Sequence, residues 1–225
     1  MKGLIVFDVD GTILDSYTLF ERLILEYSRA QGLPRPALEA IRFGYSDPHN
    51  HDFKWGVSRK DQVDHLISIF NLMDDWSMSG EHTKTPGLFE GVEDSLKHLK
   101  DLGHTLAIVT SKPEAPLLHL LDHHKVGGLF SAHRNWNDIA RRGEKEKPEP
   151  DMLLSVMRDL KFAPEETIMV GDTVMDVKMG RAAKTHTIGV AWGMHPVTFL
   201  SEAGAHHIAD THFKHVVSTV KKIFG

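Results

Sequence analysis

The chain has 225 residues, 41% of them apolar and 25% charged, which suits one large folded domain or a domain with an insert and excludes a disordered or collagen-like chain. Acidic residues outnumber basic ones by 31 to 26, a formal charge of −5, so there is no basic excess to hold a phosphate backbone and no nucleic-acid partner is expected. The absence of cysteine excludes disulfides, thiolate metal sites and a cysteine nucleophile; with no apolar run near the ~18 residues that span a membrane, the expectation is a cytoplasmic protein without a membrane partner.

Leu4-Ile5-Val6-Phe7 is a continuous apolar run, the pattern of a strand buried on both faces. Similar runs follow at Leu106–Val109, more weakly around Leu129-Phe130, then at Thr167–Val170 and Thr187–Val190. Between them the period is helical. Val92, Leu96, Leu99 and Leu102 share one face, with Gly103 as a stop, and residues 151–160 and 174–183 read the same way. Buried strands alternating with helices predict a parallel sheet with right-handed crossovers. One connection is far too long for a single crossover helix. Residues 16–85 carry helical patterns at 18–31 and 61–72, with no strand candidate. The expected organisation is therefore an α/β core of residues 1–15 and 86–225, interrupted after its first strand by a helical insert of residues 16–85. The polar stretch 141–149 reads as a solvated loop.

Chemistry-bearing residues follow each strand. Asp8-Val9-Asp10-Gly11-Thr12 comes after the first, Thr110-Ser111-Lys112-Pro113 after the second, Lys147-Pro148-Glu149-Pro150 at the end of the loop after the third, and Gly171-Asp172-Thr173-Val174-Met175-Asp176 after the fourth. In an open parallel sheet the carboxyl ends of the strands share one edge, and ligands bind there where the strand order reverses. Clustered carboxylates raise one another's pKa unless a cation sits among them. Oxygen donors without cysteine or a neighbouring histidine suit Mg²⁺, which keeps positions for water and substrate phosphate. The Thr110 hydroxyl and the Lys147 ammonium suit the remaining phosphate oxygens.

These four segments, in this order, resemble the four motifs of the haloacid dehalogenase-like superfamily of phosphohydrolases. Within it, Thr110-Ser111-Lys112-Pro113 and Gly189-Val190-Ala191-Trp192-Gly193 look most like phosphoglycolate phosphatases, a group that commonly has Asn where Ser111 stands. The resemblance implies a doubly wound, Rossmann-like core, with residues 16–85 as an inserted helical cap. It implies a phosphatase that hydrolyses a small phosphorylated metabolite through an aspartyl-phosphate. Asp8 is then the nucleophile and Asp10 the general acid and base. Mg²⁺ is held by Asp8, by Asp10 through its backbone carbonyl, and by Asp172, with Asp176 in or beside the ligand set. Thr110, Ser111 and Lys147 hold the transferring group.

A sugar-phosphate mutase shares this catalytic set and is the alternative enzyme. A phospho-accepting signalling domain is the alternative from another class, but its acceptor would follow a middle strand and it has no place for the insert. Single motifs have blander readings. Asp10-Gly11 suits a turn, Thr173 a helix cap, and Asp176 a partner for a helix dipole. The sixteen histidines include His49-x-His51, His123-His124, His206-His207 and His212-x-x-His215, none with a recognised ligand spacing. Among the basic residues of the insert, Arg42, Lys54, Arg59 and Lys60 are read as mostly solvated.

Overall fold

The run Leu4–Phe7 forms strand β1, buried on both faces because all four side chains are apolar. The structure, a computed structural model, describes residues 2–37, 55–81 and 84–225. The further strands are β2 (Thr105–Val109), β3 (Ala132–Arg134), β4 (Thr167–Gly171), β5 (His186–Val190) and β6 (His207–Ala209). They form one six-stranded sheet in the order β3-β2-β1-β4-β5-β6. All pairings are parallel; Leu4 lies opposite Thr105 on one side and Thr167 on the other. The order reverses between β1 and β4, so the switch point lies where the first and fourth strands end.

Alternate residues of a strand face opposite ways. Ile5 and Phe7 of β1 therefore pack with Val92, Leu96 and Leu99 of helix α3 (Val92–Asp101), and with Val216, Val220 and Phe224 of helix α9 (Lys214–Phe224). Leu4 and Val6 pack the other way, against Met152, Leu153 and Val156 of helix α6 (Asp151–Leu160) and Met179 of helix α7 (Val174–Ala182). Helices on both faces make the core a doubly wound, Rossmann-like sheet. Helix α4 (Glu114–His123) adds Leu117, Leu120 and Leu121 beside Ile108 of β2. The short helices α5 (Trp136–Arg142) and α8 (Val197–Glu202) follow β3 and β5. At the end of α3, Gly103 takes the left-handed conformation (φ 87°) that the stop requires.

By its internal contacts the chain divides into two units. One is Met1–Leu14 with Leu88–Gly225 and carries the sheet; the other is Asp15–Gly87. The second unit is helical. In it α1 (Ser16–Ala30) starts at Asp15, whose carboxylate accepts from the Thr18 amide, and α2 (Arg59–Met78) starts at Ser58, whose hydroxyl accepts from the Asp61 amide. Leu19, Phe20, Leu23 and Ile24 of α1 meet Leu66, Ile69 and Met73 of α2, with Trp55 buried among them. None of the described helices is long and apolar enough to cross a membrane.

Two expectations need correction. Leu129-Phe130 is not a strand: Gly127–Leu129 makes a single tight helical turn, and the strand is Ala132–Arg134. The polar stretch taken as a loop from residue 141 begins inside α5, which ends at Arg142.

Candidate active site

After β1 the backbone folds into a tight turn. The Asp8 amide still donates to the Val170 carbonyl of β4 at 2.9 Å, and the Ile13 and Leu14 amides donate back to the Val9 carbonyl, each at 2.9 Å. The turn needs Gly11, which sits at φ 83°, and a Cβ there would lie 2.2 Å from Asp172 Oδ2. Gly193 closes the other side of Asp172, since a Cβ there would lie 2.2 Å from the Asp172 Cβ. Asp172 is completely buried between them. The Thr12 hydroxyl donates to its Oδ1 at 3.1 Å and the Met194 amide to its Oδ2 at 2.7 Å.

Lys147 binds the cluster together. Its ammonium lies 2.6 Å from Asp8 Oδ1 and 2.6 Å from Asp176 Oδ1, and all three side chains are buried. Asp176 is the third residue of α7 and closes a reciprocal cap. Its Oδ2 accepts from the Thr173 amide and hydroxyl, while the Thr173 hydroxyl accepts from the Asp176 amide. Asp176 thus caps its helix with one oxygen and meets Lys147 with the other. Thr110 is buried at the end of β2, and its hydroxyl accepts from the Lys112 amide at 3.2 Å. Ser111 is exposed. The Asp10 side chain is not part of the buried trio, and its Oδ2 lies 3.2 Å from the ammonium of Lys112.

Among the described residues, Asp8, Asp172 and Asp176 form the group of carboxylates close enough to share an ion, with one oxygen from each within 4.8 Å of the others. Burial is the main force on their protonation. It pushes Asp8 up from 3.8 to about 7; the charges of Asp176 and Asp10 push the same way, and Lys147 pulls back. Burial likewise raises Asp172 well above its ordinary value, with Asp8 and Asp176 adding to it and the Met194 and Thr12 hydrogen bonds opposing. For Lys147 burial favours the neutral amine, but Asp176 and Asp8 outweigh it and its pKa rises. Among the described residues, Asp8, Asp172 and Asp176 thus bring oxygen donors together, with the Lys147 ammonium between two of them. Such an oxygen-only donor set fits Mg²⁺ in its chemistry.

A pH effect follows. Unfolded, Asp8 ionises near 3.8; folded and metal-free, it ionises near 7. Its stabilising proton is fully present below 3.8, is lost as pH rises towards 7, and leaves a buried charge above that. The metal-free protein is expected to lose up to about 1.4 kcal/mol per pH unit through this window from this group alone. An Mg²⁺ ion held by these carboxylates would take the proton's place, so Mg²⁺ should raise the melting temperature more at pH 8 than at pH 5. Melting curves with Mg²⁺ and with EDTA at both values check this, and equal shifts would contradict it.

Several contacts had no signal in the sequence. The Thr12 and Met194 bonds to Asp172 span 160 and 22 residues. His195, one of many histidines, accepts from the Val174 amide at the start of α7, and its own amide donates to the Asp172 carbonyl. Lys112 lies inside a quoted motif, yet only the fold shows it against Asp10. His49, His51, Arg42 and Lys54 lie outside the described residues.

An open α/β sheet with buried carboxylates and a bridging lysine at its switch point defines an enzyme core of the haloacid dehalogenase-like type. The chain belongs to that family: the haloacid dehalogenase-like hydrolases match it over residues 5–190. A phosphoglycolate phosphatase of Pseudomonas putida is 31% identical over 203 residues, which are 86% of this chain and 71% of that protein. A phosphoglycolate phosphatase of Aliivibrio fischeri is 28% identical, with 96% of each chain covered. Among solved structures, a haloacid dehalogenase-like hydrolase from Streptococcus pneumoniae shares the fold with a TM-score of 0.77 at 20% identity, covering 97% of this chain and 98% of that one. The chain is an enzyme, a hydrolase similar to phosphoglycolate phosphatases.

Proposed function

We propose that the protein is a cytoplasmic, Mg²⁺-dependent phosphatase that hydrolyses a small phosphorylated metabolite, similar to phosphoglycolate, through an aspartyl-phosphate on Asp8. The observation that carries this reading is Lys147 bridging Asp8 and Asp176 beside the buried Asp172. Asp8 and Asp172 would hold Mg²⁺ by their carboxylates and Asp10 by its backbone carbonyl, with Asp176 adjoining. Bound there, the ion would offset the charge of the phosphate and of the carboxylates.

The chain's own residues carry the steps. An Asp8 oxygen attacks phosphorus, the bond from phosphorus to the leaving oxygen breaks, and Asp10 gives that oxygen a proton. Water then attacks the phosphorus of the aspartyl-phosphate and loses a proton to Asp10. The bond to Asp8 breaks and inorganic phosphate leaves. Lys147 holds Asp8 in place and offsets its charge. Thr110 donates to the transferring group, and Ser111 lies at its outer edge. This is positioning and electrostatics, which phosphoryl transfer mainly requires. The helical unit Asp15–Gly87, inserted just after the nucleophile's turn, is the proposed cap that chooses the metabolite.

The test separates the two halves of the reaction. Asp10→Asn keeps the backbone carbonyl and should keep Mg²⁺ affinity. Nitrophenolate leaves without help, so p-nitrophenyl phosphate should give a burst of product. Hydrolysis of the intermediate should slow about 10²–10⁴-fold. Mass spectrometry after rapid quench should find phosphate on Asp8. No burst and no adduct, with rescue by high Mg²⁺, would make Asp10 a side-chain metal ligand instead. Product analysis with a hexose phosphate distinguishes a phosphatase, which releases phosphate, from a mutase, which returns an isomer.

A further inference from the structure

Lys147 sits on a short connection. It lies between Arg142, where α5 ends, and Asp151, where α6 begins. Its ammonium has to meet Asp8 and Asp176 at once, 2.6 Å from each. A lysine stem is flexible, so where the ammonium rests depends on where the backbone of residue 147 is held. Both arms of the connection reach one side chain, Arg134 at the end of β3.

Arg134 is 5% exposed, and a guanidinium so buried is costly unless its donors are met. Behind Lys147, on α6, its Nε donates to the Ser155 hydroxyl at 2.7 Å and its Nη2 to the Asp159 carboxylate. Its Nη1 donates to the His133 carbonyl at 2.8 Å, which fixes the plane of the fork. Arg142 also reaches Asp159, at 3.6 Å, but from an exposed side chain, where an ion pair holds little. Ahead of Lys147 stands Glu144, whose Oε1 lies 4.0 Å from the Arg134 Nε. The Glu144 side chain is 9% exposed, and among the described residues its buried Oε2 has no hydrogen-bond partner. Its charge is therefore balanced by Arg134. The Arg134 main chain serves the site separately, since its carbonyl accepts from the Thr110 amide at 3.0 Å. That bond survives substitution of the side chain, so the side chain's own influence runs towards Lys147.

We propose that Arg134 is a positioning residue for Lys147, with Glu144 as its anionic partner: one buried guanidinium pins the chain before and after Lys147 and so sets where the ammonium meets Asp8. The inference rests on the phosphatase reading above, in which Lys147 holds the nucleophile, and it adds two residues that touch neither substrate nor metal.

The test is a double-mutant cycle on kcat with p-nitrophenyl phosphate. Arg134→Met should lower kcat about 10–10²-fold, since misplacing a reacting group by about 1 Å costs that much. Glu144→Gln, which keeps the shape and loses the charge, should lower it about 3–10-fold. In a Lys147→Met background either change should cost less than about 3-fold, because the group being positioned is gone. A side chain that merely stabilises the sheet edge would lower kcat by equal factors in both backgrounds, and that result overturns the proposal. So does a Glu144→Gln enzyme with the wild-type kcat. If Arg134→Met does not fold, Arg134→Lys, which keeps the buried charge and loses the fork, takes its place. Lys147→Gln likewise stands in for Lys147→Met. The wild type separates the two failures: phosphate release with equal losses in both backgrounds defeats only this inference, whereas no release at all defeats the phosphatase reading and this inference together.

Discussion

Asp8→Asn is expected to abolish phosphate release, by roughly 10⁵-fold or more, and at the same time to stabilise the metal-free protein above pH 7. The first effect follows because an amide has no anionic oxygen to attack phosphorus. The second follows from burial, which pushes the Asp8 carboxyl up to about 7, so that above this pH the folded state carries an unfavourable charge. Asn removes that charge and keeps an oxygen for Lys147, 2.6 Å away in the native site. Phosphate release is measured with Mg²⁺, and melting at pH 8 in EDTA. A variant that melts lower than the wild type under those conditions would show that the ionised carboxylate, with its lysine, is a net stabiliser of the empty site.

Lys147→Met should act with the opposite sign on stability. It leaves Asp8 and Asp176 buried and facing each other without the cation that both contact at 2.6 Å. Breaking a buried ionic network by removing one member typically costs about 3–5 kcal/mol. The loss should be largest at high pH and shrink as the pH falls and the carboxylates take up protons. On the proposed role of Lys147 beside the transferring phosphate, activity should drop as well, about 10²–10³-fold. Urea unfolding at pH 6 and pH 8 reads the first effect, and steady-state rates read the second. Unchanged stability at pH 8 would mean that the carboxylates hold protons there without the lysine.

How much of this was legible depended on where each residue sits. β1, β2, β4 and β5 lie inside the sheet, covered on both faces, and their apolar runs announced them. β3 and β6 are three-residue edge strands, Ala-His-Arg and His-Ile-Ala, with no run to see. The nearest apolar pair, Leu129-Phe130, drew the strand reading to a place where Gly127-Gly128 instead favours a tight turn. In the site, Asp8 and Asp172 are legible because each comes directly after a strand, and parallel strands end at one edge; Lys147 and Asp176 are legible from the motifs they sit in, since α5 lies between β3 and Lys147 and Asp176 is inside α7. The support around them was hidden. Thr12 reaches Asp172 across 160 residues, and the Lys112 ammonium meets Asp10, which lies in a different segment. Contacts of that separation leave no periodicity. Gly193 was in view, but its close approach to Asp172 needs the fold to be seen.

The central place of β1 also bears on how the protein is made. Leu4–Phe7 is made before the rest of its sheet, since its strand partners begin at Thr105 and Thr167. The intervening unit Asp15–Gly87 is continuous in sequence, so all of it is made before β2 and β4. The apolar tetrapeptide Leu4–Phe7 therefore waits without its neighbours until β2 and β4 have been made, and Asp8, the proposed nucleophile, waits beside it. Catalytic competence is a late event on the nascent chain: it cannot arise before β4 and the Asp172 turn have emerged, however early the helical unit has settled.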